Sequence, residues 1–177
     1  GVQTCALPIC RVLNPKTVVI QEENSVCEME MVQIRGVNST VRDTIADLAS
    51  GAKIIVTERL LTDADQYAES SITVNLNGED AVAQISSRSV AKDESKQKFK
   101  YFAVGNNKCR AHVQCDSIIM DNAVVSSIPA ITANSADAQI IHEAAIGRIN
   151  NDQLLKLMTF GMDEEQAEEE IINGFLK

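Results

Sequence analysis

Short apolar runs recur along the chain from Val12 to Ala145, and glycine or small polar residues separate each run from the next. From Cys27 to Met31 apolar side chains alternate with Glu28 and Glu30, the period-two pattern of a strand with one buried face. Further runs are Thr17 to Ile20, Ile54 to Val56, Ile72 to Leu76, Phe99 to Val104, Val113 to Met120 and Ala138 to Ile141, with turn signals at Gly36, Gly51, Gly78 and Gly105. Only Arg42 to Leu48 also fits a helix. The pattern predicts a body built from many short strands.

Many short strands without helices between them leave three architectures: a sandwich, a barrel or a β-solenoid. The Asn-Gly turn typical of a tight hairpin occurs at Asn77-Gly78, and its rarity weakens the antiparallel alternatives. Small polar pairs suit the corners of stacked coils, and we place them at Ser39-Thr40, Ser50-Gly51, Ser86-Ser87 and Asn134-Ser135. Aromatic residues make up only 3% of the chain, so small branched side chains must fill the core. A parallel β-helix is therefore predicted, although no fixed repeat length can be read.

After Arg148 the apolar spacing changes to that of helices. Asn151 to Phe160 carries Leu154 and Leu157 at helical spacing, and Gly161 follows where a left-handed cap belongs. A second helix is predicted to start at a capping box of Asp163 with Gln166 and to end before Gly174. Its apolar stripe consists of Ala167, Ile171, Ile172 and Phe175. We therefore expect a β-helix core over residues 11–148 and a helical segment over 149–177.

Residues 1–10 are set apart from the fold, because their first nine letters, GVQTCALPI, read as the in-frame translation of a sequencing adapter. The rest is one domain's worth of chain, and we expect it to be a fragment that lacks its N-terminal part. No apolar run reaches membrane-spanning length, so a cytoplasmic protein is expected. The net charge of −9 and the pI near 4.7 disfavour nucleic acid and anionic membranes as partners.

The stretch from Cys109 to Arg148 holds both histidines and two of the five cysteines. If its strands are stacked coils, Cys115 lies near the adjacent pair His142 and Glu143. A thiolate, an imidazole and a carboxylate together suit iron and its sulfide clusters. The cysteines outside residues 1–10 are Cys27, Cys109 and Cys115, and their odd number without a CxxC pair indicates reduced thiols.

Each of these residues also has a structural interpretation. Cys115 can be a small buried apolar side chain. His142 and Glu143 are adjacent, so on a straight strand they point to opposite faces unless the strand ends or bulges there. The runs Ile118 to Met120 and Ile140-Ile141 carry apolar groups on both faces, which predicts that a partner chain covers one of them. Three ligands are fewer than the four cysteines of a stored cluster, so the pattern favours a shared, labile site.

At these residues the chain resembles the SufB/SufD family, the scaffold subunits of the SUF iron-sulfur cluster assembly system. The matching segments are SRSVAK (87–92), AHVQCDS (111–117), HEAAIGRI (142–149), DQLLKL (152–157), GMDEEQA (161–167) and INGF (172–175). The resemblance implies a right-handed parallel β-helix that dimerises, with a transient iron-sulfur cluster at the dimer interface. It also implies C-terminal helices that dock SufC, an ABC-type ATPase, so the ATPase activity belongs to that partner and this chain is a scaffold, not an enzyme.

Carried over by position, Cys115 falls on the cysteine that SufB-type members use in building the cluster, and His142 and Glu143 fall on their His-Glu interface pair. SufD-type members usually have glycine after this histidine, so Glu143 makes the chain SufB-like. The cysteine-to-histidine spacing is about one residue shorter than in long SufB proteins. Compact members serve both subunit roles, so the subunit role stays open, as does the choice between homodimer and heterodimer. The stripe of the second helix is expected to help the ATPase dock.

Three rival functions are left. A β-helix enzyme that acts on carbohydrate needs paired carboxylates, for which Asp43 and Asp47 come closest, with no aromatic residue nearby to stack a sugar. A left-handed acyltransferase helix needs a hexapeptide repeat, which this chain lacks. The third rival is a purely structural, SufD-like partner subunit in which Cys115 is inert.

Overall fold

The computed structural model of the protein describes residues 12–34 and 36–177, so the adapter-like residues 1–10 lie outside the described part. Its elements are β1 Val12–Leu13, β2 Lys16–Gln21, β3 Val26–Gln33, β4 Ser39–Leu48, β5 Lys53–Thr62, β6 Tyr67–Leu76, β7 Ala81–Ala91, β8 Lys96–Gly105, β9 Cys109–Ile119, β10 Val124–Ala133, β11 Ala138–Gly147, α1 Asn151–Thr159 and α2 Glu164–Phe175. The run from Arg42 to Leu48 is strand, because it lies inside β4.

The strands form two parallel sheets, and the chain passes from one to the other at every turn. The first sheet contains β1, β2, β4, β6, β8 and β10, and the second contains β3, β5, β7, β9 and β11. Paired residues in successive coils are 27 positions apart at Val12 and Ser39, 28 at Lys96 and Val124, and 29 at Cys109 and Ala138. The predicted β-solenoid is confirmed, with about five turns. Because the coil length drifts by one or two residues, the sequence shows no fixed repeat.

Small polar residues at the corners of successive coils form hydrogen bonds with each other. At one corner the amides of Asn77, Asn106 and Asn134 stack, with a hydrogen bond of 2.7 Å between each neighbouring pair. Such ladders satisfy polar groups that stacked turns bring together. Corners are also found, as expected, at Ser50-Gly51 and Asn134-Ser135.

Two other expected corners are wrong, since Ser39-Thr40 and Ser86-Ser87 lie inside β4 and β7. Thr40 and Ser87 are buried, and both donate a hydrogen bond: Thr40 to the Leu13 carbonyl oxygen and Ser87 to the Glu58 carboxylate. Thr40 and Ser87 therefore occupy inward positions at which a small polar side chain has a hydrogen-bond partner.

The inward side chains of both sheets form one core. Its largest fully buried apolar members are Leu48, Ile54, Ile72, Leu76, Ile85, Phe99 and Tyr101. They occupy alternate positions of their strands, and in β6 every second residue from Tyr67 to Leu76 is buried. Stacked coils thus convert a two-residue pattern into a continuous narrow core.

The two helices begin as the sequence predicts. Asn150 caps α1, Gly161 after it adopts a left-handed conformation with φ of 95°, and Asp163 and Gln166 form the capping box of α2. The expectation for Gly174 is wrong, because α2 continues through Gly174 to Phe175. Among the described residues, no helix is both long and apolar enough to cross a membrane.

Helix α2 packs on the outer face of the second sheet. Ile172 and Phe175 of the helix and Leu176 directly after it form a second apolar cluster with Leu61, Val90, Ile118 and Met120. Arg59 donates to the carbonyl of Lys177 at 3.0 Å and Arg88 to that of Phe175 at 3.3 Å, where the helix dipole favours positive charge. The second cover over Ile118 and Met120 is therefore this chain's own helix, rather than the partner chain that the sequence led us to expect there.

Candidate functional site

Cys115 lies at an inward position of β9 and is fully buried. It pairs in register with Ser87 of β7 on one side and with Ala144 of β11 on the other. Burial raises the pKa of the Cys115 thiol to about 11; the hydroxyls of Ser127 and Ser117 oppose this rise, whereas the negative charges of Glu58 and Asp116 add to it. The residue is therefore a neutral thiol at neutral pH.

His142 lies on β11, two residues before the register partner of Cys115, and its ring is also turned inward. It stacks on the ring of Tyr101, with centroids 6.3 Å apart and planes 24° from parallel. Neither ring nitrogen is accessible, and neither has a hydrogen-bond partner among the described residues. Burial lowers the pKa of His142, which favours the neutral imidazole, the form that binds metal ions.

Glu143 points to the opposite face of β11. The strand pairs with β9 without interruption from Ala138 to Gly147, so it has no bulge that would turn two adjacent side chains to one side. On the outer face the Glu143 carboxylate lies 2.7 Å from Nε2 of His112. Stacking therefore brings Cys115 and His142 to the same interior, whereas Glu143 lies outside it.

His112 is a residue whose contact sequence reasoning missed, although it lies in the segment AHVQCDS. It stands next to the inward Val113 on β9, so strand alternation alone indicates that it faces outward. In the described part of the chain, no three His, Cys, Asp or Glu side chains come together as a group that could hold a metal ion.

A second missed feature lies directly beside Cys115. Glu58 of β5 is 1% exposed, and its carboxylate accepts hydrogen bonds from Ser70 at 2.7 Å, Ser87 at 2.9 Å and Tyr101. Arg42 adds an ion pair at 3.2 Å. We call Arg42, Glu58, Ser70, Ser87 and Tyr101 the Glu58 cluster.

The Glu58 cluster takes one residue from each strand from β4 to β8 and ends at the candidate site. Burial and the neighbouring Glu58 raise the pKa of Tyr101 well above its ordinary value, so its hydroxyl remains a donor. The sequence did contain a signal, since Glu58 has the same strand parity as Val56 and Leu60, both buried. An acidic residue at an inward position needs a partner, and Arg42 is that partner.

The other candidate residues have ordinary surroundings. Cys109 is buried, and burial raises its pKa; Cys27 is half-buried against the core, and these two thiols and Cys115 are all free. Asp43 and Asp47 lie on the outer face of β4, where Asp43 pairs with Lys16 at 3.7 Å and Asp47 accepts a hydrogen bond from Asn75 at 2.8 Å. Both carboxylates of the carbohydrate hypothesis thus have local partners.

Comparison with known proteins places the chain in a family. Residues 12–175 match the model of the SufBD core domain of the SUF system for FeS cluster assembly. The chain belongs to the SufBD family. That family has its role in iron-sulfur cluster assembly, and the resemblance noted from the sequence is confirmed.

Individual relatives agree with the SufBD family model. The chain is 38% identical over 126 residues to an iron-sulfur cluster assembly SufBD family protein of Methanocaldococcus jannaschii, covering 71% of this chain and 40% of that protein. A SufBD family protein of Pyrococcus horikoshii is 32% identical over 135 residues, covering 76% and 41%. The assembly protein SufB of Bacillus subtilis is 32% identical over 97 residues, covering 52% and 21%. The chain thus spans about two fifths of the first two relatives.

Proposed function

We propose that this chain is a cytoplasmic scaffold subunit on which an iron-sulfur cluster is assembled, and that Cys115 and His142 bind the nascent cluster. The observation that carries the proposal is the placement of both side chains on one inward face of neighbouring strands, with both nitrogens of His142 unpartnered among the described residues. A buried imidazole without a hydrogen-bond partner calls for an explanation, and a bound metal ion would supply the partner. The neighbouring thiol supports this explanation, because it offers a second ligand to the same ion.

Iron and sulfide are the cargo in this proposal, and the protein supplies the ligands. The Cys115 thiol must lose its proton to bind iron, and with a pKa of about 11 it does so when the metal takes the proton's place. The neutral imidazole of His142 needs no such exchange. Holding the thiol protonated until iron arrives suits a site that binds its cargo transiently.

We further propose that the cluster forms at a dimer interface with a second SufB/SufD-type subunit, a copy of this chain or a homologue. The last coil supports this proposal, because β10 and β11 are edge strands and Ile128, Ile131, Ile141 and Ile146 are exposed there. Glu143 is the third proposed ligand. On the uninterrupted β11 it lies outside, so its use by the same cluster requires that dimerisation bends or bulges this edge strand.

Anaerobic reconstitution with ferrous iron and sulfide, with the ATPase partner present, tests the cluster proposal. Cys115→Ser and His142→Ala should lose most of the bound iron and sulfide, and Glu143→Gln should lose part of it. Cys109→Ser is the matched control, since Cys109 is also a buried thiol of β9. Equal iron and sulfide in wild type and Cys115→Ser would instead favour the structural, SufD-like subunit, an interpretation that the complete burial of Cys115 supports.

The helical segment is the proposed docking site for a SufC-type ATPase. Of the stripe expected from the sequence, Ala167 and Ile172 are buried within this chain, whereas Ile171 and Phe175 are partly exposed. Helix α1 and its end present exposed apolar side chains at Leu155, Met158 and Phe160. We therefore propose that the ATPase contacts the exposed part of both helices, in the manner of a helix laid in a groove.

A pull-down with the ATPase tests the docking surface. Leu155→Asp and Phe160→Asp should weaken capture while leaving the thermal midpoint unchanged, because both side chains are mostly exposed, 60% and 73%. Ile172→Asp is no clean test, since it would also separate α2 from the solenoid. Val18→Asp, at a 57% exposed position on β2, is the control for a lost surface apolar group. Unchanged capture by both helical variants would refute the surface.

A further inference from the structure

The interior of this solenoid is largely apolar, but polar and charged groups enter it near the Cys115 site. There the Glu58 cluster places a carboxylate and a guanidinium in the core, with Glu58 1% exposed and the Arg42 side chain 13% exposed. A buried ion pair contributes little to stability compared with apolar residues of the same volume. Its place in the core therefore points to a role other than holding the coils together.

The contacts of the Glu58 cluster lead from the ion pair to both proposed ligands. The Tyr101 hydroxyl donates a hydrogen bond to the Glu58 carboxylate, and the ring of the same tyrosine stacks on His142. Ser87 donates to the same carboxylate at 2.9 Å and pairs in register with Cys115. Glu58 thus fixes the residue that touches the imidazole and the strand neighbour of the thiol.

We propose that Tyr101, anchored by Glu58, is a positioning residue of the cluster-assembly site that holds the imidazole of His142 turned inward toward Cys115. The inference rests on the proposed function and deepens it. His142 belongs to the last coil, which has a covering strand on one side only, and it makes no hydrogen bond of its own among the described residues. The Tyr101 ring is the aromatic contact that limits its rotation.

Modification of histidine by diethyl pyrocarbonate, read by peptide mass spectrometry, tests the positioning without any metal. The chain has two histidines: the exposed His112 should react fast in every variant, and His142 should react slowly in the wild type. Tyr101→Phe removes the anchor and should speed the reaction of His142. Tyr101→Leu also removes the stacked ring and should speed it further.

Cobalt(II) is the second probe, since its thiolate charge-transfer band and ligand-field bands report the ligands directly. Tyr101→Phe should weaken cobalt binding about 10- to 100-fold, the usual effect of losing a residue that orients a ligand, and should alter the ligand-field bands. Thr62→Val is the control for a lost buried hydroxyl, because Thr62 is 1% exposed and bonds to Ser95 and Gln97. Tyr67→Phe is the control for a lost tyrosine–glutamate bond, here to Glu69 on the outer face.

The outcomes separate the two proposals. Slow reaction of His142 in both Tyr101 variants, or equal acceleration in Thr62→Val, would overturn the positioning role whatever the metal does. Unchanged cobalt spectra in Cys115→Ser and His142→Ala would overturn the proposed cluster site, and the histidine reaction would still decide the role of Tyr101. Thermal midpoints of all variants, measured by circular dichroism, show whether any acceleration merely follows unfolding.

Discussion

The middle coils and the last coil follow the same alternating pattern but differ in what they bury. In β6 every second side chain is sealed, and Ile72 is fully buried. On β10 and β11 the corresponding inward positions include Ile131 at 47% and Ile146 at 44% exposure. A coil with neighbours on both sides buries its inward face, and a terminal coil has a neighbour on one side. The same sequence pattern therefore builds a core in one region and an accessible edge in the other, on which β11 carries the inward-turned His142.

The largest difference is expected at the charged groups of the two regions. Glu58→Ala should destabilise the protein by about 3–5 kcal/mol, because it leaves the Arg42 guanidinium unpaired in the interior. Glu143→Ala should lower the free energy of unfolding far less, because both side chains of the His112–Glu143 pair are exposed, by 46% and 58%. Urea unfolding of both variants measures the contrast, and equal losses would refute it.

A second contrast uses one residue type in both regions. Ile72→Ala should cost about 2–5 kcal/mol, because it opens a cavity in a close-packed core. Ile131→Ala, on the same sheet, should cost about 1 kcal/mol or less, because about half of its side chain is already in water. If dimerisation covers the last coil, the cost of Ile131→Ala should grow with protein concentration. A large loss at Ile131 in a dilute monomer would contradict the open edge.

A third contrast concerns Cys115, on the strand that joins the two regions. Its pKa is about 11 in the folded protein, above the ordinary value of 9.0, so the folded state keeps a proton that the unfolded chain releases earlier. This stabilisation is complete below about pH 9 and is lost as the pH rises to about 11, with a total of at most about 3 kcal/mol. Cys115→Ala should lack this part of the pH dependence in urea unfolding. If wild type and Cys115→Ala lose equal stability over that range, Cys115 does not have this pKa.

The strand pattern predicted the solenoid because the residue type at each position, apolar or polar, indicates whether the side chain faces the core. The positions of β7 and β10 escaped the prediction, because Ser87 and Ser127 interrupt the apolar runs of these strands. A serine inside a strand resembles a turn residue, and the hydrogen bond of Ser87 to Glu58 is not visible in the local sequence. The run from Arg42 to Leu48 fitted both a helix and a strand, because an arginine at an inward position interrupts the alternation of the strand. The partner of Arg42, Glu58, is 16 residues away, in the opposite sheet, a pairing that no local pattern contains.

At the candidate site, stacking explains the relative positions of the residues named from the sequence. The placement of Cys115 and His142 on one inward face, two register positions apart, follows from a coil of 29 residues between Cys109 and its partner Ala138, as expected for stacked turns. The separation of His142 from Glu143 follows from strand parity, since β11 has no bulge. The contacts Glu143–His112 and His142–Tyr101 required the register between strands, which depends on corner lengths that vary from coil to coil.

The variable coil length has a consequence for how such a scaffold can change in size. Each turn advances the molecule by one strand spacing, about 4.8 Å, for 27 to 29 residues. A whole turn could be inserted before β4 while every residue from Tyr101 to Gly147 kept its present neighbours, including Glu58, the hydrogen-bond partner of Tyr101. A single residue added inside a strand would instead move the following side chains of that strand from the inward face to the outward face, and the reverse. The molecule can therefore lengthen in units of a full turn, whereas the end that carries the candidate site tolerates no change of register.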